Sequence, residues 1–395
     1  MRIDEVKNLD EKYVIHTYKR APLVLVKGKG TRVWDSEGKE YLDFVAGIAV
    51  NGLGHCHPKV VKAIRKQVSQ LMHISNLYYI EPQVKLAKLL AENSFGDKSF
   101  FCNSGAEAVE AAIKLSRKYG KGERYEILCM EGSFHGRTLA TLTATGQEKY
   151  RKGYAPLTLG FKIVPFNDLE KVKEAISHRT VAVMLEPIQG EGGINIAGDD
   201  YLKDIRKLCD ENDLLLILDE IQCGMGRTGK LFCYEHYGIE PDIMTLAKSL
   251  GGGFPIGCMI TKDRIASFFS PGDHASTFGG NPLACSAARA AIAAILEENL
   301  IENAAQVGGY FIEKLKELQK KYSFIKEVRG KGLMIGVELD FEGKDIVTKC
   351  QEKGILINCT VDRVLRFVPP LIVTKEEVDK VVDVLDEIFS KIGMR

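Results

Sequence analysis

No Cys-x-x-Cys pair occurs in this 395-residue chain, although ten cysteines are scattered along it. Several sit in apolar stretches, such as Cys129 in Ile-Leu-Cys-Met and Cys258 in Ile-Gly-Cys-Met-Ile, where a thiol behaves as a small hydrophobe. Unpatterned thiols argue against a disulfide framework and for a reducing, cytoplasmic setting. An excess of one charge is missing too: 54 Lys and Arg face 53 Asp and Glu, a net +1. With no dominant basic face or tail, nothing points to a nucleic-acid or membrane partner. No run approaches the roughly 18 apolar residues of a membrane span. The opening Met-Arg-Ile-Asp-Glu-Val-Lys-Asn has charge where a signal peptide has an apolar stretch, so none is expected. Apolar content of 45% and charged content of 27% are those of an ordinary soluble globular protein. The length predicts about two or three domains.

What the chain does contain is alternation. From about 55 to 285, short apolar runs alternate with amphipathic helical patterns. The expected strands are Ser99–Cys102, Tyr125–Met130, Lys162–Val164, Val181–Leu185, Leu214–Leu218, Ile243–Ala247 and Gly257–Ile260. This pattern predicts a mainly parallel α/β sheet. Residues 1–50 read as a helix or arm followed by short strands, including Leu23–Val26 and a Ser-Glu-Gly turn. After about 300 a helix (Gly309–Lys321) leads into strand-like runs at 333–339, 355–357 and 365–373. Thr374-Lys-Glu-Glu377 is a capping box that opens a last helix with Val378, Val381, Leu385, Ile388 and Ile392 on one stripe. The expected division is 1–54 and 286–395 in a smaller α+β domain, with 55–285 as the large domain.

Two apolar runs each deliver an ionisable group at their C-terminal end: Leu214–Leu218 leads to Asp219, and Ile243–Ala247 to Lys248 and three glycines. Neighbouring strands of a parallel sheet would bring these groups to the edge where α/β ligands gather. An aspartate and a lysine there suit pyridoxal phosphate, because the carboxylate keeps a ring nitrogen protonated and the amine bonds to the aldehyde. A solvated ion pair is the plainer alternative for the same two residues. Ser104 and Glu107 form a capping box, so a helix is expected to start at Gly105 with unpartnered N–H groups that a phosphate can accept or that stay empty. In Gly132-Ser-Phe-His-Gly-Arg-Thr138, Phe134 or His135 could lie against a planar group, or pack in the core, and Arg137 could grip a carboxylate. Glu191 lies among glycines beyond another strand, free to approach a substrate, pair with an arginine or stay solvated. Arg366, mid-strand in Leu-Arg-Phe-Val-Pro-Pro, is either a structural ion pair or a second carboxylate clamp. Gly54-His-Cys-His-Pro58 lacks a fourth ligand at zinc-like spacing, so no metal is expected.

Seven segments in order are far more specific than any one: those at 51–58, 103–108, 133–138, 186–193, 218–222, 247–253 and 274–282. Together they resemble the class III (subgroup II, fold type I) pyridoxal-phosphate aminotransferases over nearly the whole chain. The resemblance implies a large domain with a mainly parallel seven-stranded sheet plus a smaller α+β domain from both ends of the chain. It implies Lys248 as the covalent anchor, Asp219 on the ring nitrogen, Gln222 near the ring hydroxyl, and Glu220 and Ile221 in the same cofactor-binding stretch. Phe134 would stack on the ring, Gly105 and Ala106 would bind the phosphate, and Thr277 would reach it from the other subunit of a homodimer with a shared active site. Arg137 and Ser276 resemble donor contacts, and Arg366 with Glu191 the 2-oxoglutarate clamp and its neutralising partner. The implied reaction moves the distal amine of N2-acetylornithine to 2-oxoglutarate. N-acetyl-lysine, succinylornithine, ornithine or 4-aminobutyrate are the alternative donors, and an aminomutase, a racemase or a non-catalytic scaffold are more distant readings.

Overall fold

Runs such as Thr180–Leu185 and Leu215–Asp219 are too short and too uniformly apolar for amphipathic helices. Each is buried along its whole length in the computed structural model, which describes residues 1 and 3–392. All seven expected strands of the large domain form, and they make one sheet. From edge to edge it runs Lys98–Cys102, Gly257–Thr261, Ile243–Leu246, Leu215–Asp219, Thr180–Leu185, Glu126–Met130 and Phe161–Val164. Gly257–Thr261 is antiparallel to both neighbours, and the other six run in one direction.

Side chains along these strands alternate between two apolar clusters, one on each covered face of the sheet. Leu215, Ile217, Ala182 and Met184 pack with Val109, Ala112 and Ile113 of the helix Gly105–Tyr119 on one face. Leu216, Leu218, Val183 and Leu185 join a second cluster that continues into the C-terminal part of the chain. Each buried Leu or Ile contributes about 1.5–3 kcal/mol.

The chain ends share structure. Ile355–Leu356 adds in parallel to the N-terminal strands Leu25–Lys29, Arg32–Asp35 and Glu40–Asp43, pairing Ile355 with Leu42. A second small sheet orders Ile325–Lys331, Met334–Leu339, Val364–Phe367 and Asn358–Thr360, all antiparallel. Several boundaries move. The first strand starts at Leu25 rather than Leu23, and the helix expected from Gly309 begins at Leu300. The strand around Arg366 ends at Phe367, because Pro369 and Pro370 cannot donate to a ladder. Residue 285 lies within the helix Pro282–Glu297, which packs on Pro58–Val68 and Glu81–Glu92. Thr374 and Glu377 make the expected capping box.

Candidate active site

Because six strands of the large sheet run the same way, their C-terminal ends meet along one edge. Register then sets which groups are level: Asp219 pairs with Thr245, three residues before Lys248, and Leu218 pairs with Leu185, just before Glu186. A cleft of about 410 Å³ opens there, and Lys248, Asp219, Glu186, Glu191, Gln222, Phe134, Arg137 and the helix start at Gly105–Ala106 line it. Lys248 begins a short 3₁₀ turn with φ +48°, a left-handed conformation that costs a lysine energy and persists only where the surroundings dictate it. Among the described residues none forms a hydrogen bond or ion pair with its amine within normal distances. Burial lowers the Lys248 pKa and the Arg366 cation adds to this, while Glu191, Glu186 and Asp219 oppose it.

Asp219 is buried and held from two sides. His135 Nδ1 lies 2.7 Å from Oδ2, and the Ile221 amide donates to Oδ1 at 3.1 Å. Burial alone would lower the His135 pKa, but the Asp219 carboxylate more than offsets it and the net shift is upward. Glu186 accepts the amides of Phe134 (2.8 Å) and Gly190 (3.1 Å). Burial, with the Asp219 charge adding to it, pushes Glu186 up from 4.5 to about 7, against the pull of His135 and of both amides.

A carboxyl raised in the folded state favours folding most below its ordinary pKa and loses that contribution as pH rises through the folded value. For Glu186 the window runs from 4.5 to about 7. Buried Glu220, pushed up to about 8, has the same sign and extends it. The thermal midpoint of the cofactor-free chain is therefore expected to fall between pH 5 and pH 8. Glu186→Gln should shrink that fall, and an undiminished pH dependence would remove Glu186 as its cause.

Arg366 is fully buried and pairs with Glu191. It also donates to Gly190 O and Gln222 Oε1, both at 3.2 Å, and its Nε donates to Asn358 Oδ1 at 3.2 Å. Gln222 completes a triad, with Nε2 at 3.5 Å from Glu191. Burial raises the Glu191 pKa, but Arg366 reverses this and the net shift is downward. At the helix start, Ser104 accepts from the Glu107 amide as the cap requires. Glu107 does not complete a box: its carboxylate takes the Asn103 amide and side chain, both at 2.8 Å. A Cβ at Gly105 would fall 2.7 Å from Ile221 Cδ1, so any larger residue there would have to displace that side chain.

Several sequence expectations land elsewhere. Glu220 does not line the cleft; its carboxylate turns to the Cys233 (2.5 Å) and Tyr234 (2.7 Å) amides. Alternation along an extended segment puts it opposite Asp219. Ser276 also lies outside the cleft, its Oγ accepting from the Gly279 amide at 3.0 Å and the Asn103 amide group at 3.1 Å, whereas Thr277, expected to act on a second subunit, lies outside its own chain's cleft as that expectation requires. Of the two rings considered, Phe134 faces the cleft half-buried, whereas His135 is Asp219's partner. That partnership spans 84 residues and left no local trace beyond the histidine itself. Glu186 was visible as a carboxylate past a strand, but its elevated pKa needed the tertiary surroundings. The two histidines of Gly54–Pro58 are used separately, His55 on Asp43 at 2.7 Å and His57 on Glu298 at 3.2 Å.

The family model described as class-III aminotransferase matches residues 13–389. The acetylornithine aminotransferase of Caldanaerobacter subterraneus subsp. tengcongensis is 60% identical, over 97% of this chain and 98% of its own. That of Methanocaldococcus jannaschii is 59% identical over 98% of both chains. Among solved structures, the ornithine aminotransferase of Toxoplasma gondii superposes with a TM-score of 0.96 at 36% identity, covering 100% of this chain and 96% of that one. The acetylornithine aminotransferase of Elizabethkingia anophelis gives 0.89 at 33% identity, with 99% and 100% covered.

Proposed function

Since the chain belongs to the class III aminotransferases, an enzyme family, we propose that it moves the distal amine of N2-acetyl-L-ornithine to 2-oxoglutarate. The products are N-acetyl-L-glutamate 5-semialdehyde and L-glutamate, as in arginine biosynthesis. The observation that carries this reading is a buried, pKa-lowered lysine beside a buried aspartate, in a chain about 60% identical to relatives named for that reaction.

The residues fit pyridoxal phosphate. The Lys248 amine is available for a covalent bond, the Asp219 carboxylate for a ring nitrogen, and Phe134 for the ring face. Gly105 and Ala106 open a 15-residue helix whose first N–H groups suit a phosphate, and Gly105 leaves the room. When bound, the cofactor supplies an electron sink for the bond broken at the donor carbon. Lys248 Nζ, its pKa lowered by burial, takes the proton from that carbon and returns it at the far end of the shift. His135 holds Asp219 in place. Gln222 Oε1 accepts from Arg366 and its Nε2 donates to Glu191, which leaves a second N–H and a second lone pair for a ring hydroxyl.

Arg137 grips the donor's free carboxylate. Its guanidinium lies 4.1 Å from the Tyr150 ring centre, which limits where the fork can point. With Glu191 on Arg366, the second clamp is neutralised and the donor meets no rival cation there. For 2-oxoglutarate, Glu191 must leave, and Arg366 then takes the acceptor's carboxylate.

Ser276 and Thr277 serve a second copy's cleft in a homodimer. Nearby, Leu77, Tyr78, Tyr79 and Phe278 are large apolar groups left exposed, Tyr79 fully, which fits a covered face. Asn76 ties this patch to the Ser276 loop through Gly279 O at 2.9 Å. None of the described helices is long and apolar enough to cross a membrane.

A donor panel with glutamate formation as readout tests the proposal. N2-acetylornithine is expected to give the highest kcat/KM. Free ornithine is the competitor to watch, given the fold's likeness to ornithine aminotransferases. One methylene shifts binding by only about 1–3 kcal/mol, so N-acetyl-lysine should be slowed rather than excluded. Ornithine or 4-aminobutyrate ranking first would overturn the assignment.

A further inference from the structure

We propose that Arg329 is a positioning residue for Glu191: it clamps the backbone of a glycine-rich hairpin so that the acid's side chain changes partner while its loop stays still. This rests on the role proposed above for the Glu191–Arg366 pair. Residues 190–194, Gly-Glu-Gly-Gly-Ile, form the tip between the paired segments Ile188–Gln189 and Asn195–Ile196. Three glycines in five residues would normally make such a tip mobile, because glycine loses the most backbone freedom on ordering. Gly193 (φ +108°) and Ile194 (φ +58°) both lie in the left-handed region, and Ile194 is fully buried. A β-branched residue in that conformation persists only where its surroundings over-determine it.

Those surroundings are a set of donors aimed at the tip's carbonyls. Arg366 holds Gly190 O at 3.2 Å, and Asn195 Nδ2 holds Gly192 O at 3.0 Å. Arg329 reaches across from the small C-terminal sheet and takes two more. Its Nε donates to Gly193 O at 3.0 Å and Ile194 O at 3.2 Å, and its Nη2 to Gly193 O at 2.7 Å. Its charge is balanced on the other side by Glu327 (2.6 Å) and Glu338 (2.5 Å), so it does not compete with Arg366 for Glu191. Beyond the tip's backbone, the Glu191 side chain is held, among the described residues, by Arg366 and Gln222. The parts divide cleanly: fixed main chain, switchable carboxylate.

The test uses the holoenzyme with Arg329→Met and Arg329→Lys. Arg329→Met is expected to raise KM for 2-oxoglutarate about tenfold, the equivalent of one charge-assisted hydrogen bond, with the donor half-reaction unchanged. Arg329→Lys, which restores the charge and one donor, should recover part of it. Amide hydrogen exchange at 190–194 should speed up in Arg329→Met and remain slower in Arg329→Lys. Equal slowing of both half-reactions, or unchanged exchange, overturns the clamp and leaves Arg329 a general stabiliser. If the wild type transfers no amine to 2-oxoglutarate, the functional reading fails, and the exchange rates alone still decide whether Arg329 holds the tip.

Discussion

Lys248→Ala is expected to abolish amine transfer while leaving the fold intact. The proton-transfer role alone accounts for about 10²–10⁴-fold, and loss of the covalent anchor adds to it. Stability should not fall with activity. The wild-type lysine sits at φ +48° with a buried amine that, among the described residues, no hydrogen bond or ion pair engages, and alanine keeps the backbone penalty while removing the desolvated group. Glutamate formation under saturating substrates, read beside the thermal midpoint, separates the two effects. Borohydride reduction of the wild-type holoenzyme followed by peptide mapping should place a pyridoxyl group at position 248. A tag elsewhere, or a variant that turns over at near wild-type rate, would end the assignment of Lys248.

Arg366→Met should split the two half-reactions. Removing one partner of a buried, hydrogen-bonded charge pair costs about 2–5 kcal/mol, so kcat/KM for 2-oxoglutarate should drop about a hundredfold or more. The donor half-reaction should survive, because Arg366 is neutralised by Glu191 in the state that meets the donor. Without the arginine, Glu191 loses the largest influence that holds its pKa down, and burial shifts it upward. Single-turnover rates with donor and with acceptor, measured separately, check this. A variant slowed equally in both would show that Arg366 serves the fold rather than the acceptor.

Much of this site could be read from local sequence. Lys248 and Asp219 each follow a short apolar run, and such a run in an α/β chain has one destination, a parallel strand whose C-terminal end meets the ligand edge. Ser104 announced a helix start at Gly105 through its side chain alone. Local spacing was less informative about which partner a side chain chooses. Glu107 was expected to bond its own N-cap residue and bonds Asn103 instead, and the Arg366 and Glu191 contacts of Gln222 come from distant segments. Glu220 shares a motif with Asp219 yet faces the opposite way. Its carboxylate is committed to amides 13 and 14 residues on, a turn that motif spacing does not encode.

Local order and chemistry were settled by the residues themselves: seven strands, a capped helix start, and a lysine and an aspartate at strand ends. These depend on propensity, periodicity and side-chain type over a few neighbours, which any stretch of chain carries with it. Protonation and partnership were decided only by the folded arrangement. His135 on Asp219, a carboxyl near neutrality at Glu186, and the Arg366–Glu191–Gln222 triad bring together residues 31 to 175 positions apart. Charge energies depend on distance and on how much water remains, and neither exists until distant segments pack together.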